Sequence, residues 1–168
     1  MLAALIVGQS APSDFRPTGP KIKVTMSRGG SFVITTDQKG SPQTVAHILS
    51  LVNSKFYDRQ RIHRVESWVT QWGAPASKDQ DITKDVVLSG GSGKQLPFEE
   101  SKWDFHRGIV GVASTGLQVG GDSQLFILKG DALRLYRSYA VVGKVTSGME
   151  VVDRIAKGDR ILHMRVIK

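Results

Sequence analysis

The links between elements most constrain how this chain can fold. From Lys21 onward the sequence carries about eight short segments of strand character, and most of the links between them are too short to hold a helical crossover. Successive strands must therefore run largely antiparallel. Ile22, Val24 and Met26 alternate with Lys21, Lys23 and Thr25, the period of a half-buried strand. Arg28-Gly29-Gly30-Ser31 is a turn, and residues 32–36 return as the second arm of a hairpin. Segments 62–65, 68–72, 109–113, 123–128, 139–145 and 161–167 supply the rest.

Only two stretches have helical period. Ser41-Pro42 offers a hydroxyl cap followed by proline at the first helical position. Val45, Ile48, Leu49 and Val52 then form one apolar stripe, to about Lys55. Gly148 opens a second helix with Met149, Val152, Ile155 and Ala156 on one face, and Gly158 is its expected stop. The expected fold is mainly β: a closed eight-stranded antiparallel barrel capped by two helices.

A chain of 168 residues predicts one domain, over residues 21–168, with residues 1–20 as an irregular proline-containing lead-in. The absence of cysteine excludes thiol catalysis, disulfides and thiolate metal sites. The net charge of +8 reads as a solvated basic surface, with an acidic partner such as nucleic acid or a membrane face as the sharper alternative and a nucleic-acid-binding barrel as its functional form; no basic run is dense enough to demand it. Met1, Leu2 and the apolar residues after them fall well short of the ~20 residues needed to span a bilayer. A cytoplasmic monomer is expected, a trimmed export signal being the alternative.

Residues 74–97 are polar, glycine-rich and without period, so they predict a long surface loop, a feature often tied to function. Within it, Gly90-Gly91-Ser92-Gly93-Lys94 looks like a phosphate loop but fails, because Leu88 stands at the first glycine and Gln95 at the required hydroxyl. His47, His63, His106 and His163 share no ligand spacing, so no metal is expected. Ser123 lies in no nucleophile elbow, and Glu99-Glu100 reads as a solvated loop edge.

The chemistry concentrates in Ile62-His63-Arg64-Val65 with Trp68-Val69-Thr70-Gln71, and in Asp122-Ser123-Gln124-Leu125-Phe126-Ile127. Guanidinium, imidazole and carboxamide groups in β-forming segments predict that one strand face lines a groove, with Arg64 carrying the chemistry. Strand alternation then turns His63 to the interior as a structural residue.

These residues resemble the cyclophilin family. Phe56-Tyr57-Asp58, Ile62-His63-Arg64-Val65 and Gln71 are similar to its Phe-Tyr-Asp, Phe-His-Arg-Val and Gln-Gly-Gly. Gly111-Val112-Ala113-Ser114-Thr115-Gly116 resembles Met-Ala-Asn-Ala-Gly, and Asp122-Ser123-Gln124-Leu125-Phe126-Ile127 resembles Gly-Ser-Gln-Phe-Phe-Ile. Val142-Gly143-Lys144-Val145 resembles Phe-Gly-Lys-Val, and the turn and closing helix follow. The resemblance runs in order over residues 22–167, and the long loop before Gly93 looks like bacterial members.

The resemblance implies peptidyl-prolyl cis-trans isomerase activity without a cofactor, acting on proline-containing peptides and unfolded proteins. It implies catalysis by Arg64 with Gln71 and Phe126, and substrate contacts from Trp68, Val69, Ala113, Ser114, Gln124, Leu135 and Tyr139. The chain departs from the pattern in several places, among them one residue fewer between Arg64 and Gln71, the bulkier Trp68 in place of phenylalanine, Trp72 in place of glycine, Ser114 in place of asparagine, and, the last of them, Arg134 where eukaryotic members grip cyclosporin with tryptophan. The last implies weak cyclosporin binding. A module of the same fold that holds proline peptides without turnover, as a chaperone would, is the alternative.

Overall fold

The computed structural model describes residues 15–168. The apolar N-terminal stretch and most of the proposed lead-in lie outside the described residues. β1 (Lys21–Met26) and β2 (Ser31–Thr36) form the hairpin, with Gly29 and Gly30 at φ of 96° and 87° in its turn. α1 (Pro42–Asn53) follows, then β3 (Arg64–Val65) and β4 (Val69–Trp72). After α2 (Asp85–Leu88) come β5 (Ile109–Val112), β6 (Leu125–Leu128) and β7 (Val141–Ser147). α3 (Met149–Asp153) and β8 (Ile161–Ile167) close the chain.

The strands make one sheet in the order β3-β4-β6-β5-β7-β2-β1-β8, every neighbouring pair antiparallel. The sheet curls into an open half-barrel, not the closed barrel expected. Its two borders, β3 and β8, do not pair with each other. The chain reaches the gap as the turn around Arg59, at φ 67°, and reads as strand only from Arg64. Backbone bonds still lace the seam: Arg59 N–H to Ile161 O at 2.9 Å, Ile62 N–H to Asp159 O at 2.8 Å, and Gly158 N–H to Ile62 O at 2.8 Å.

Alternation divides the core by face. On one side Leu125, Ile127 and Trp72 join Ile48 and Val52 of α1 and Val152 of α3. On the other, Val69, Phe126 and Leu128 pack with Phe105, Ile109, Val141 and Phe15. Phe15 stacks on Trp103 at 4.3 Å, so the described part of the lead-in begins packed on the domain.

Local expectations needed correction. Ser41 makes no side-chain cap, and its buried Oγ has no partner among the described residues. The Glu99 carboxylate caps α1 instead, accepting from Gln43 N–H at 3.0 Å and Thr44 N–H at 2.7 Å. Glu99 is thus a helix cap, not a solvated edge, while Glu100 pairs with Arg137 at the surface. Residues 74–97 hold a 3-10 turn, Pro75–Lys78, and α2, whose Val87 is fully buried. α3 stops at Asp153, short of Ile155 and Gly158.

Candidate active site

Strand register builds the site. Arg64 pairs with Gln71, Gln71 with Phe126 and Phe126 with Gly111, one row of cross-strand partners running through β3, β4, β6 and β5. Partners in such a row share a face, so the arginine, the carboxamide and the aromatic ring stand side by side. Gly111 leaves room for the Phe126 ring, since a Cβ there would lie 2.4 Å from it, and the row continues to Val141 of β7. The adjacent row, Val65, Thr70, Ile127 and Val110, faces the opposite way.

Arg64, Trp68, Val69, Gln71, Ala113, Ser114, Phe126, Leu135 and Tyr139 together line a pocket of about 220 Å³. Of the residues expected at the site, only Gln124 stands apart from it. Gln124 lines a neighbouring cavity of about 560 Å³ that shares Gln71, Ala113 and Ser114 with the pocket. Phe126 is held between Phe105, stacked at 6.4 Å, and Tyr139, edge-on at 5.6 Å. Ser114 Oγ donates to Gly116 O at 2.7 Å, which braces its own loop.

The Arg64 guanidinium is fixed from two directions. Nε donates to Glu66 Oε1 at 2.6 Å and Nη1 to Gln71 Oε1 at 3.2 Å. Glu66 Oε2 also accepts from Trp68 Nε1 at 2.9 Å, which sets the indole. Arg64 and Arg134 both approach the Trp68 ring, at 5.5 Å and 4.4 Å from its centroid. The hydrogen bond from Arg64 holds the Glu66 carboxyl below its ordinary value, with Trp68 and the Arg134 charge adding to it. Sequence reasoning passed over Glu66. Strand alternation gave no signal for it, because β3 ends at Val65 and Glu66 lies in the turn to β4, closed by Glu66 N–H to Val69 O at 2.8 Å.

His63 is turned away from Arg64 and is 3% exposed. Its Nδ1 finds no partner among the described residues, so the interior hydrogen bonding expected of it is incomplete. Burial pushes its pKa down to about 4, against the pull of Gln124 and with help from the Lys157 and Arg64 charges. A neutral imidazole facing the core suits a structural residue.

The family model described as cyclophilin type peptidyl-prolyl cis-trans isomerase/CLD matches residues 21–167. A probable peptidyl-prolyl cis-trans isomerase of Brucella abortus (strain 2308) is 38% identical over 122 residues, covering 70% of this chain and 62% of the relative. The chain thus spans under two thirds of that relative's length. Peptidyl-prolyl cis-trans isomerase B of Bacillus subtilis is 34% identical over 131 residues, 76% of this chain and 85% of the relative. Among solved structures, a cyclophilin type peptidyl-prolyl cis-trans isomerase of Cryptosporidium parvum superposes with a TM-score of 0.77 at 18% identity, over 90% of this chain and 99% of that one. That protein was also crystallised in the presence of the dipeptide Ala-Pro.

Proposed function

Because this chain belongs to the cyclophilin-type peptidyl-prolyl cis-trans isomerase family, we propose that it accelerates rotation about X-Pro bonds in flexible or unfolded protein chains and so assists folding. The observation that carries this reading is the shared pocket of Arg64 with the apolar surfaces of Trp68, Val69, Phe126 and Leu135.

The chemistry asks little of the protein. Amide resonance sets a barrier of about 18–20 kcal/mol, and uncatalysed exchange takes tens to hundreds of seconds. Reaching milliseconds removes about 7 kcal/mol. In the twisted amide the proline nitrogen regains its lone pair, and a donor aimed at it lowers the barrier without any proton transfer. Arg64 fills that role, since a guanidinium keeps its charge. A preorganised donor contributes about 3–4 kcal/mol. Positioning supplies the remainder: the ring sits against Phe126, Val69, Trp68 and Leu135, with Tyr139 at the rim. Gln71 orients the guanidinium, Ala113 and Ser114 meet the peptide backbone, and Gln124, whose amide is engaged by Leu88, Gly90 and Gln71, supports Gln71 from outside the pocket.

In this proposal the protein acts as a cytoplasmic monomer without metal or cofactor. Cyclosporin binds weakly, because Arg134 occupies the place of a gripping tryptophan. Among the described residues no helix is long and apolar enough to cross a membrane.

A second reading has one observation in its favour. Glu66 engages the guanidinium directly, as would suit a module that holds proline peptides without turning them over. A protease-free isomerisation assay on an Ala-Pro peptide separates the two. Catalysis is expected; tight binding with no rate enhancement overturns the isomerase reading.

A further inference from the structure

The glycine-rich run 90–94, which the reaction leaves without a role, wraps a carboxylate. Asp122 Oδ1 accepts from His47 Nε2 at 3.0 Å and from Ser92 Oγ. Its Oδ2 accepts from the N–H groups of Gly93 at 2.8 Å and Lys94 at 3.3 Å. Successive backbone N–H groups converging on an anion form the kind of nest that elsewhere receives phosphate; here the chain supplies the anion itself. Burial alone would raise the Asp122 carboxyl, yet the bonds from Ser92, His47, Gly93 and Lys94 hold it below its ordinary value. A Cβ on Gly91 would lie 2.5 Å from Oδ2, so glycine is needed for the loop to close. An ionised carboxylate has no proton to give, so His47 must carry its hydrogen on Nε2. His47 and Asp122 are 7% and 19% exposed, so the clamp is largely out of water.

The other end of this loop governs an amide. Gln124 Nε2 donates to Leu88 O at 2.5 Å and to Gly90 O at 2.9 Å. With both hydrogens engaged, Gln124 Oε1 is left to accept, and it does so from Gln71 Nε2 at 2.8 Å. Gln71 must then present Oε1 to Arg64 Nη1. A reversed Gln124 would set oxygen against two carbonyls, and a reversed Gln71 would set a donor against the guanidinium. The loop carbonyls therefore set the direction of the chain of amides, with the His63 ring beside Gln124 acting on the same amide.

We infer that Asp122 is a positioning residue for Arg64. By holding residues 88–94 down, it keeps the Leu88 and Gly90 carbonyls where they fix the polarity of Gln124 and Gln71, and through them the guanidinium. The carboxylate stands where the family's motif has glycine, so this device is a departure of this chain. The inference rests on the reading of Arg64 as the catalytic donor.

The test compares wild type with Asp122→Ala and the milder Asp122→Asn, which keeps the volume but loses the charge. NMR exchange on an Ala-Pro peptide gives kcat and KM separately, and the side-chain amide resonances of Gln71 and Gln124 report the relay directly. Asp122→Ala is expected to lower kcat by roughly tenfold to a hundredfold with little change in KM. The two side-chain amides should move toward solvent-like shifts while the backbone resonances of β5 and β7 stay in place. Gln124→Glu, which turns the donor into an acceptor facing two carbonyls, should cost a similar factor and add little to Asp122→Ala. Unchanged kcat and unchanged Gln resonances in Asp122→Ala overturn the inference. If wild type fails to turn over the peptide, the reading of the site falls, and the resonances alone then decide the relay: a collapse in Asp122→Ala upholds it and no movement overturns it.

Discussion

Arg64 and Gln71 are register partners across β3 and β4, and Nη1 of the arginine donates to Gln71 Oε1 at 3.2 Å. The pairing fixes the plane of the guanidinium from one side while Glu66 fixes it from the other. A charged side chain anchored twice at the mouth of an apolar pocket reaches its working geometry before a peptide arrives, so little ordering is left for the reaction to drive.

Replacing Arg64 with alanine removes that donor. We expect activity on an X-Pro peptide to fall at least about a hundredfold. The side chain is 43% exposed, so stability should change by less than about 0.5 kcal/mol. An isomerisation assay beside a urea titration checks both halves, and an unchanged rate would remove Arg64 from its role.

Glu66→Gln keeps the size but drops the charge that holds Arg64 and the Trp68 indole. Activity should fall roughly threefold to tenfold. The pH dependence gives a second reading. The folded carboxyl sits below its ordinary value, so the pair is intact above that value and is lost only as pH falls through the lowered one. Wild-type activity should show an acid limb there, and the variant should lack it.

His63 predicts a different pH window. It is neutral and buried with a folded pKa of about 4 against an ordinary 6.5. Between those values the unfolded chain binds more protons than the folded one, so stability rises with pH. The contribution is whole above pH 6.5 and erodes as pH falls toward 4. Thermal melts across that range should show the slope in wild type and a flatter profile in His63→Leu; identical slopes would show that another group titrates.

Glu99→Ala deletes the carboxylate that caps α1. Losing such a cap costs about 1–2 kcal/mol, with little effect on the pocket. Urea unfolding midpoints should shift down while kcat/KM for a proline peptide holds.

The Arg64, Gln71 and Phe126 row was legible in the sequence because strand alternation is local: once β-type segments are assigned, facing follows from counting by two. The same count set His63 on the opposite face, but it stops where β3 ends at Val65, so Glu66 in the turn beyond escaped it. What remained hidden depends on distant partners. Glu99 lies 56 residues from Gln43, and nothing local to either announces their meeting. The glycine run resembled a phosphate site because its backbone does form an anion nest, but the anion comes from Asp122, 29 residues beyond Gly93. Strand number alone predicted closure, whereas closure depends on the length of the border strands, and β3 has only two residues.

That brevity bears on endurance as much as on shape. β3 hangs at one margin of the sheet by few backbone bonds, and such a margin frays at a small fraction of the free energy that melts the whole. On gentle heating the arginine's footing slackens first, so turnover will decay while amides in β1, β2 and β7 still resist exchange with solvent. The lifetime expected of the proposed activity is thus set at the rim of the sheet.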